Sequence, residues 1–541
     1  MKPFATTLKV GSSLANLTGS WRTERPVYLD RLPPCNDACP AGENIQEWLY
    51  YAEEGDYEGA WRVIMRDNPL PAVMGRACYH SCETACNRGQ LDETVGIHAV
   101  ERFLGDEALK RNWPVHDIPP ATGKKVMIVG SGPGGLSAAY HLTRMGHQAV
   151  IYESSAKAGG MMRYGMPAYR LPRDILDAEI ARIEGMGATI CLNTPIGDLV
   201  EIMNSQGFDA AFLAAGAQEA RTIDIENDGS VEVLEAIKML RDIEEGPRPP
   251  ALGDRVVVYG GGNVAMDVAR SARRLGAVHI TAIVIESRQK MPAHEFEIKE
   301  AVEEGIEIIN LRSIEKIEKN ILTLETMIQD DSNWPQPTGQ FETREANTLV
   351  LALGQKPNLS FLDGVEGLAV NKGVVQVNNA MMTGRDGIFA GGDMVPSSRT
   401  MTGAIGHGKK AARNIDAYLK GEKHTPGDKH EVADFKLLNT WYYADAPKSV
   451  QPTLDMIRRQ SGFEEVLGNL DEINALLEAR RCLSCGNCFE CDNCYGVCPD
   501  NAITKLGPGK RFEFKYDYCK GCGMCAKECP CGAIKMLPED I

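Results

Sequence analysis

Between residues 121 and 425 the chain alternates short runs rich in Val and Ile with stretches whose apolar positions recur every three or four residues. KVMIV at 125–129, AVIY at 149–152, RVVVY at 255–259 and HITAIVI at 279–285 are of the first kind. LSAAYHLTRMG at 136–146, MDVARSARRLGA at 266–277 and AIGHGKKAARNIDAYL at 404–419 are of the second. Unbroken apolar runs suit strands buried on both faces, and their alternation with amphipathic helices predicts βαβ units and parallel sheet. Upstream, IQEWLYYAEEGDYEGAWRVIMRD reads as helix, with Trp48, Tyr51, Ala60, Trp61 and Ile64 able to share a face. Downstream, polar text gives way to the helical LDEINALLEARR and then to a cysteine-rich module.

Proline-rich breaks at HDIPPATGKK and EEGPRPPALGD mark two boundaries. The expected fold is therefore α/β and multidomain, with two interleaved Rossmann-like domains between a helical N-terminal domain and a small C-terminal module. The segments run 1–120 (helical), 121–250 (first part of one nucleotide domain), 251–355 (a second), 356–425 (return to the first), 426–480 (linker helices) and 481–541.

With 541 residues there is room for three or four domains that each bury a core. The net charge of -16, from 74 acidic and 58 basic residues, has the wrong sign for a surface that tracks phosphates, so nucleic acid is not an expected partner. No apolar run approaches eighteen residues, and MKPFATTLKVGSS lacks an apolar core of signal-peptide length. A cytoplasmic protein without membrane insertion is the expectation. Of 17 cysteines, all but Cys191 fall in two tight groups, which suits metal ligation in a reducing compartment rather than disulfides. Cys191, in the strand-like GATICLN, reads as a buried core thiol.

The C-terminal group carries the most specific chemistry. Cys488, Cys491, Cys494 and Cys498-Pro499 repeat as Cys519, Cys522, Cys525 and Cys529-Pro530, the spacing that wraps two [4Fe-4S] cubanes in a bacterial-type ferredoxin fold. The fourth cysteine of each run serves the other cluster: Cys488, Cys491 and Cys494 with Cys529, and Cys519, Cys522 and Cys525 with Cys498. A zinc ribbon is the alternative, although zinc sites do not need the Cys-Pro ends. Cys482, Cys485 and Cys531 are left over, and a frame starting at Cys482 fails because position 492 is Asp.

Two glycine-rich turns lie upstream. The strand at 125–129 leads into Gly130-x-Gly132-x-x-Gly135 and a helix, with Glu153 closing the next strand where a ribose hydroxyl is held. The strand at 255–259 leads into Gly260, Gly262 and Ala265 in the same places. Two such fingerprints imply FAD plus a nicotinamide dinucleotide, and the clusters then demand that hydride chemistry be split into single electrons. Only Cys191 lies between 121 and 425, so a paired-cysteine redox centre beside the flavin is excluded.

Gly159-Gly160, the stretch YGMPAYRLP and the later Gly391-Gly392-Asp393 resemble the FAD domain of the glutamate synthase small-subunit family. That family includes the N-terminal half of dihydropyrimidine dehydrogenase and the large subunit of NADH-dependent ferredoxin:NADP oxidoreductase. The resemblance covers roughly residues 30 to 425 and implies FAD pyrophosphate on Gly130, Gly132 and Gly135 beside Gly160, adenosine ribose on Glu153, and Asp393 at the ribityl-phosphate region.

Relatives that use NADPH typically carry an arginine pair where Ile285 and Glu286 stand here. An acid there accepts from the 2′-hydroxyl of NAD and repels the 2′-phosphate of NADP, so NADH is the expected coenzyme, with Arg288 and Lys290 close enough to reach a phosphate.

Cys35, Cys39, Cys78, Cys82 and Cys86 resemble the same family's cluster domain, which decides for iron–sulfur over zinc. Two cysteines expected just before Cys35 are missing, their places taken by residues such as Val27 and Asp30, so the resemblance implies one cluster here on Cys39, Cys78 and Cys82 with Glu101. Cys35 and Cys86 match ligands of the missing cluster, and either is an alternative fourth ligand. The expected total is three [4Fe-4S] clusters.

TGSWRTERP resembles the opening of the small ferredoxin-like subunit of 2-oxoacid:ferredoxin oxidoreductases. The whole implies an NADH:acceptor oxidoreductase that serves catalytic partner subunits, first among them a 2-oxoacid oxidoreductase core, with a ferredoxin-like acceptor as a further partner. The alternatives are the NADPH-dependent small subunit of a glutamate synthase, a sulfite-reductase-type electron donor, or a non-catalytic cluster scaffold. A glutaminase is not expected, since residue 2 is Lys.

Overall fold

A computed structural model describes residues 17–115, 118–246, 249–329 and 334–539. The first sixteen residues, on which the reading of the N-terminal segment rested, lie outside them.

The Val/Ile runs form two five-stranded parallel sheets. The first has the order Ile388–Ala390, Ala210–Leu213, Lys125–Val129, Gln148–Tyr152, Thr189–Cys191. Val126, Met127 and Ile128 at its centre are fully buried, as expected where helices cover both faces. The helices Pro133–Arg144 and Met401–Leu419 pack tightly on one another: a Cβ on Gly408 would lie 2.3 Å from the Gly134 carbonyl oxygen. The chain leaves this sheet after Leu213, builds the second, and returns at Ile388. The second has the order Glu307–Asn310, His279–Val284, Arg255–Tyr259, Thr348–Leu351, Glu232–Glu235, also parallel. An antiparallel meander, Arg312–Glu318, Ile321–Ile328 and Gln336–Glu345, hangs beside it. Cys191 ends the outer strand of the first sheet and is half-buried, not enclosed, because no further strand covers that edge.

The N-terminal domain is helical, with one departure from its periodicity. The stretch expected to present one continuous face is a hairpin of Ile45–Glu53 and Tyr57–Ile64, broken where Gly55 takes φ +79° and Asp56 caps the second helix through the Gly59 N–H at 2.9 Å. Trp48, Ala60, Trp61 and Ile64 are buried all the same, while Tyr51 is half-buried. The helices Pro71–Ala77 and Ile97–Arg111 cross on glycines: a Cβ on Gly75 would lie 2.5 Å from Arg102 Cα, and one on Gly105 would lie 2.4 Å from the Ala72 nitrogen.

The C-terminal module contains the hairpin Ile503–Lys505 with Phe512–Phe514 and two short helices, Asn493–Val497 and Met524–Lys527. Its outer strand Ile534–Pro538 pairs antiparallel with Glu24–Tyr28, so the two ends of the described chain meet. Helix Glu472–Ala479 is more than a link: Leu470, Ala475 and Ala479 complete the core around Trp48, Ile64 and Val100. Among the described residues no helix is long and apolar enough to cross a membrane.

Candidate flavin, nucleotide and cluster sites

The first glycine turn opens on a cavity that also touches Glu153, Gly160 and Asp393. Each glycine has its own reason. Gly130 takes φ +100°, and a Cβ there would meet the Ala214 carbonyl oxygen at 2.5 Å. A Cβ on Gly135 would meet the Gly130 oxygen at 1.9 Å, whereas one on Gly132 would meet nothing within 4 Å, so its backbone faces open space. Gly160, φ +52°, backs onto Gly132, 2.8 Å separating its would-be Cβ from Gly132 Cα. Glu153 is buried with its carboxylate fixed by the Ser131 and Ser155 N–H groups at 3.0 and 2.8 Å and the Ser131 hydroxyl at 2.6 Å. Burial raises the Asp393 carboxyl, an effect opposed by Arg399. Backbone open to a phosphate, a helix N-terminus behind it and an oriented acid at the next strand fit FAD.

The second turn repeats this geometry. Gly260 takes φ +146° against the Ala352 carbonyl, Gly262 faces open space, and Ala265 is fully buried. Glu286 stands at its rim: a Cβ on the intervening Gly261 would lie 3.3 Å from Glu286 Oε2. Arg288 is held by Glu295 at 2.7 Å. Asn263 and Asp267, from the helix after this turn, line the same cavity as Gly132 and Asp393, so the start of that helix borders the space the first turn opens on.

The stretch MPAYRLP joins the two domains. Arg170 binds Asp267 at 2.8 Å and the buried Glu297 at 2.5 Å, and Tyr169 lies buried with Arg274 3.7 Å over its ring. Sequence reasoning took this stretch only as part of a resemblance; its work here is electrostatic.

Cys39, Cys78, Cys82 and Glu101 converge. Glu101 is among the charges acting on the Cys39 and Cys78 thiols, and Cys78 and Cys39 are the foremost charges acting on Cys82. Glu101 accepts 2.8 Å from Asn68, whose same nitrogen reaches Glu43 at 3.1 Å. Burial raises both carboxyls, Glu43 to about 7, and pushes Cys78 up to about 11. Buried thiols held together in this way fit a metal that binds them as thiolates. Glu43 was not foreseen; it follows Cys39 by four residues, which was the available signal. Tyr79 was missed as well. It follows Cys78, lines the nucleotide cavity and stacks on His294 at 4.0 Å, so it connects the cluster ligands with the flavin space. Thr402, near the start of the Met401–Leu419 helix, donates to Cys78 Sγ at 3.0 Å.

In the C-terminal module Cys529 lies close enough to act on Cys488, Cys491 and Cys494, and Cys498 close enough to act on Cys519. Cys35 and Cys86 do not join the Cys39 group most closely. The foremost charges acting on Cys35 are Cys482, Cys86 and Cys485.

Residues 124–408 match the pyridine nucleotide-disulphide oxidoreductase model, residues 27–113 match dihydropyrimidine dehydrogenase domain II with its 4Fe-4S cluster, and residues 512–535 match a 4Fe-4S binding domain. The chain is 34% identical over 504 residues to the beta subunit of an NADP(+)-dependent formate dehydrogenase from Moorella thermoacetica, covering 84% of this chain and 70% of that one. It is 31% identical over 391 residues to subunit PreT of the NAD-dependent dihydropyrimidine dehydrogenase of Escherichia coli K12, covering 72% and 91%. The small chain of the NADPH glutamate synthase of the same strain is 31% identical over 419 residues, covering 72% and 89%. With its glycine turns, shared cavity and cysteine sets, this chain belongs to the pyridine nucleotide-disulphide oxidoreductase family, as an FAD-dependent NAD(P)H oxidoreductase joined to iron–sulfur domains at both ends.

Proposed function

We propose that this protein is the NADH-linked electron-transfer subunit of a larger oxidoreductase. The observation that carries the reading is the single cavity shared by Gly132, Asp393, Asn263 and Asp267, with Tyr79 on its wall one residue from Cys78. FAD held there would supply hydride exchange with NAD(H) and one-electron exchange with iron–sulfur clusters. The chain's own part is to hold the two nucleotides face to face. Gly130, Gly132, Gly135 and Gly160 cradle one pyrophosphate and Gly260 and Gly262 the other, while Arg170 fixes the two domains through Asp267 and Glu297. Three cubanes are read on Cys39, Cys78, Cys82 with Glu101, and on the two C-terminal quartets.

Glu286 supports NADH, because its carboxylate at the rim of the second turn suits a 2′-hydroxyl and opposes a 2′-phosphate. Arg288, engaged by Glu295, does not neutralise it. The relatives' names divide between NAD and NADP, so the NADH reading rests on this side chain and not on the family.

The partner is a catalytic redox core, as the formate and dihydropyrimidine dehydrogenase relatives suggest; a 2-oxoacid oxidoreductase is favoured by the arm Thr18–Arg22. That arm lies on the ferredoxin module beside the second quartet. Gly19 N–H donates to the Asp517 carbonyl at 2.9 Å, Arg22 donates to the Cys519 carbonyl at 3.0 Å, and Trp21 is 71% exposed.

Anaerobic stopped-flow with NADH and with NADPH tests this. Bleaching of the flavin by NADH followed by cluster reduction is expected. Glu286→Arg should lower kcat/KM for NADH and raise it for NADPH, each by about tenfold, the worth of one charge-assisted contact. Faster reduction of the unmodified protein by NADPH would overturn the coenzyme assignment, and no flavin reduction by either would overturn the enzymatic reading.

A further inference from the structure

Of the six cysteines outside the three clusters assigned above, four are brought together by the fold: Cys35 and Cys86 from the N-terminal domain, Cys482 and Cys485 from the entry to the ferredoxin module. We propose that they ligate a fourth [4Fe-4S] cluster, whose ligand shell is assembled from the two ends of the chain and which bridges the N-terminal cluster and the ferredoxin pair. The proposal rests on the reading of those three clusters, and extends it.

The quartet is built, not fortuitous. Asn87 donates one amide to Cys485 Sγ at 3.5 Å and to the Ala433 carbonyl at 3.0 Å, which holds the Cys86 loop against the Cys485 loop. Arg481, the residue before Cys482, is buried and reaches Glu478 at 2.6 Å, the Glu93 carbonyl at 2.6 Å and the Thr94 carbonyl at 2.9 Å, while Arg88 donates to the Arg481 carbonyl at 3.1 Å. On the Cys35 side, Gln46 meets the Ser484 hydroxyl at 3.4 Å, and Gly486 packs so closely that a Cβ would lie 2.5 Å from Arg31 Cβ.

The backbone around the sulfurs matches that of the other ligands. Ser484 N–H donates to Cys482 Sγ at 3.4 Å, two residues on, from a left-handed residue at φ +46°. His80 does the same for Cys78 at 3.4 Å with φ +56°, and Glu490 and Gly521, at the same offset from Cys488 and Cys519, take φ +59° and +73°. A non-glycine residue in that conformation is uncommon, and its recurrence at the same offset marks a ligand loop. The backbone N–H groups of Val95, Arg88 and Gly89 near Cys86 oppose the rise that burial imposes on its thiol. Such donors stabilise sulfur that carries negative charge.

Among the described residues no group of three or more Cys, His, Asp or Glu side chains has the spacing of a single-ion site, the ferredoxin octet included. The position favours a relay. Cys35 acts on Cys82 of the N-terminal cluster, and Gly486 N–H bonds the carbonyl of Cys531 at 2.7 Å, two residues from Cys529. Tyr443, half-buried and bonded to the Leu483 carbonyl at 3.0 Å, has Cys482, Cys485, Cys491 and Cys531 around it. One electron enters from one neighbouring cluster and one leaves to the other; no bond of the protein is made or broken.

The test is iron, sulfide and zinc analysis of the full-length, anaerobically reconstituted protein, with Mössbauer spectra of the same samples. About sixteen iron atoms and as many sulfides per chain are expected, four cubanes in all. Cys482→Ser/Cys485→Ser should drop this to about twelve and slow reduction of the ferredoxin clusters at least about tenfold, with FAD content retained. About twelve iron atoms in the unmodified protein would sink the fourth cluster and leave the three-cluster reading standing; about eight would remove the N-terminal cluster as well. One zinc per chain, or a double variant that keeps all its iron, would equally overturn the assignment. Because the unmodified protein alone discriminates, a variant that does not fold leaves the proposal open to refutation.

Discussion

Gly132 and Gly135 are three residues apart in one turn and fail for different reasons when given a side chain. The Cβ of Gly132→Ala enters space that no protein atom fills, so the chain should fold and lose its cofactor. The Cβ of Gly135→Ala drives into the Gly130 carbonyl at 1.9 Å, so the turn itself must move, at about 1–3 kcal/mol. Urea unfolding of the FAD-free proteins should therefore show Gly132→Ala close to the unmodified chain and Gly135→Ala shifted, whereas after reconstitution Gly132→Ala should bind FAD at least about tenfold more weakly, a loss near 1.4 kcal/mol. Equal stability of the two apo forms would contradict this account. Residues of this kind are legible in sequence because a phosphate turn is local: the glycines, the following helix and the acid closing the next strand lie within one βαβ unit. Glu43, Asn68 and Tyr79 are not legible in the same way, since packing between distant helices brings them to the cluster and the cavity.

At the scale of elements, the alternation of strand and helix text suffices to place the two parallel sheets, because a strand buried on both faces has few other sequences open to it. The pairing of Glu24–Tyr28 with Ile534–Pro538 could not be read, since neither ERPVY nor IKMLP alternates and nothing local points one at the other. That strand places Tyr28 flat on Phe514, ring centres 4.9 Å apart, with its hydroxyl 3.5 Å from Cys494 Sγ. Desolvation makes Tyr28 a persistent O–H, raised far above its ordinary range. A hydrogen bond to a cluster sulfur favours the reduced, more negative state, so Tyr28→Phe should make that cluster harder to reduce. One such bond differs between the two states by about 1 kcal/mol, or about 40 mV for one electron. Potentiometric titration followed by EPR reads the shift; a potential that stays put or rises would mean that the hydroxyl does not face the sulfur.

Over the whole molecule, residues 450–470 act as a strap that the sequence showed only as polar text. Val466 N–H bonds the Tyr169 carbonyl of the flavin domain at 2.9 Å, and Glu465 takes Arg76 at 2.7 Å and Arg102 at 2.9 Å of the cluster domain. Arg459 reaches the nucleotide domain, 3.3 Å from Glu303 and 3.3 Å from the fully buried Glu304, which Arg270 and Arg274 also hold. The second domain is seated against the flavin cavity by that grip as well as by Arg170. Removing one partner of a buried ion network costs about 3–5 kcal/mol when a charge is left alone; with two arginines still on Glu304, Arg459→Ala should cost less, about 1–3 kcal/mol. The loss falls on the seating of the second domain, not on either core. Limited proteolysis should therefore cut the variant within 450–470 at least about threefold faster, a modest part of what 1–3 kcal/mol of easier local opening permits. The rate of flavin reduction at saturating NADH should fall, because the nicotinamide is held less often against the flavin. If both rates match those of the unmodified chain, the strap does not hold the domain, and the alignment of the two nucleotides rests on Arg170 and its carboxylates alone.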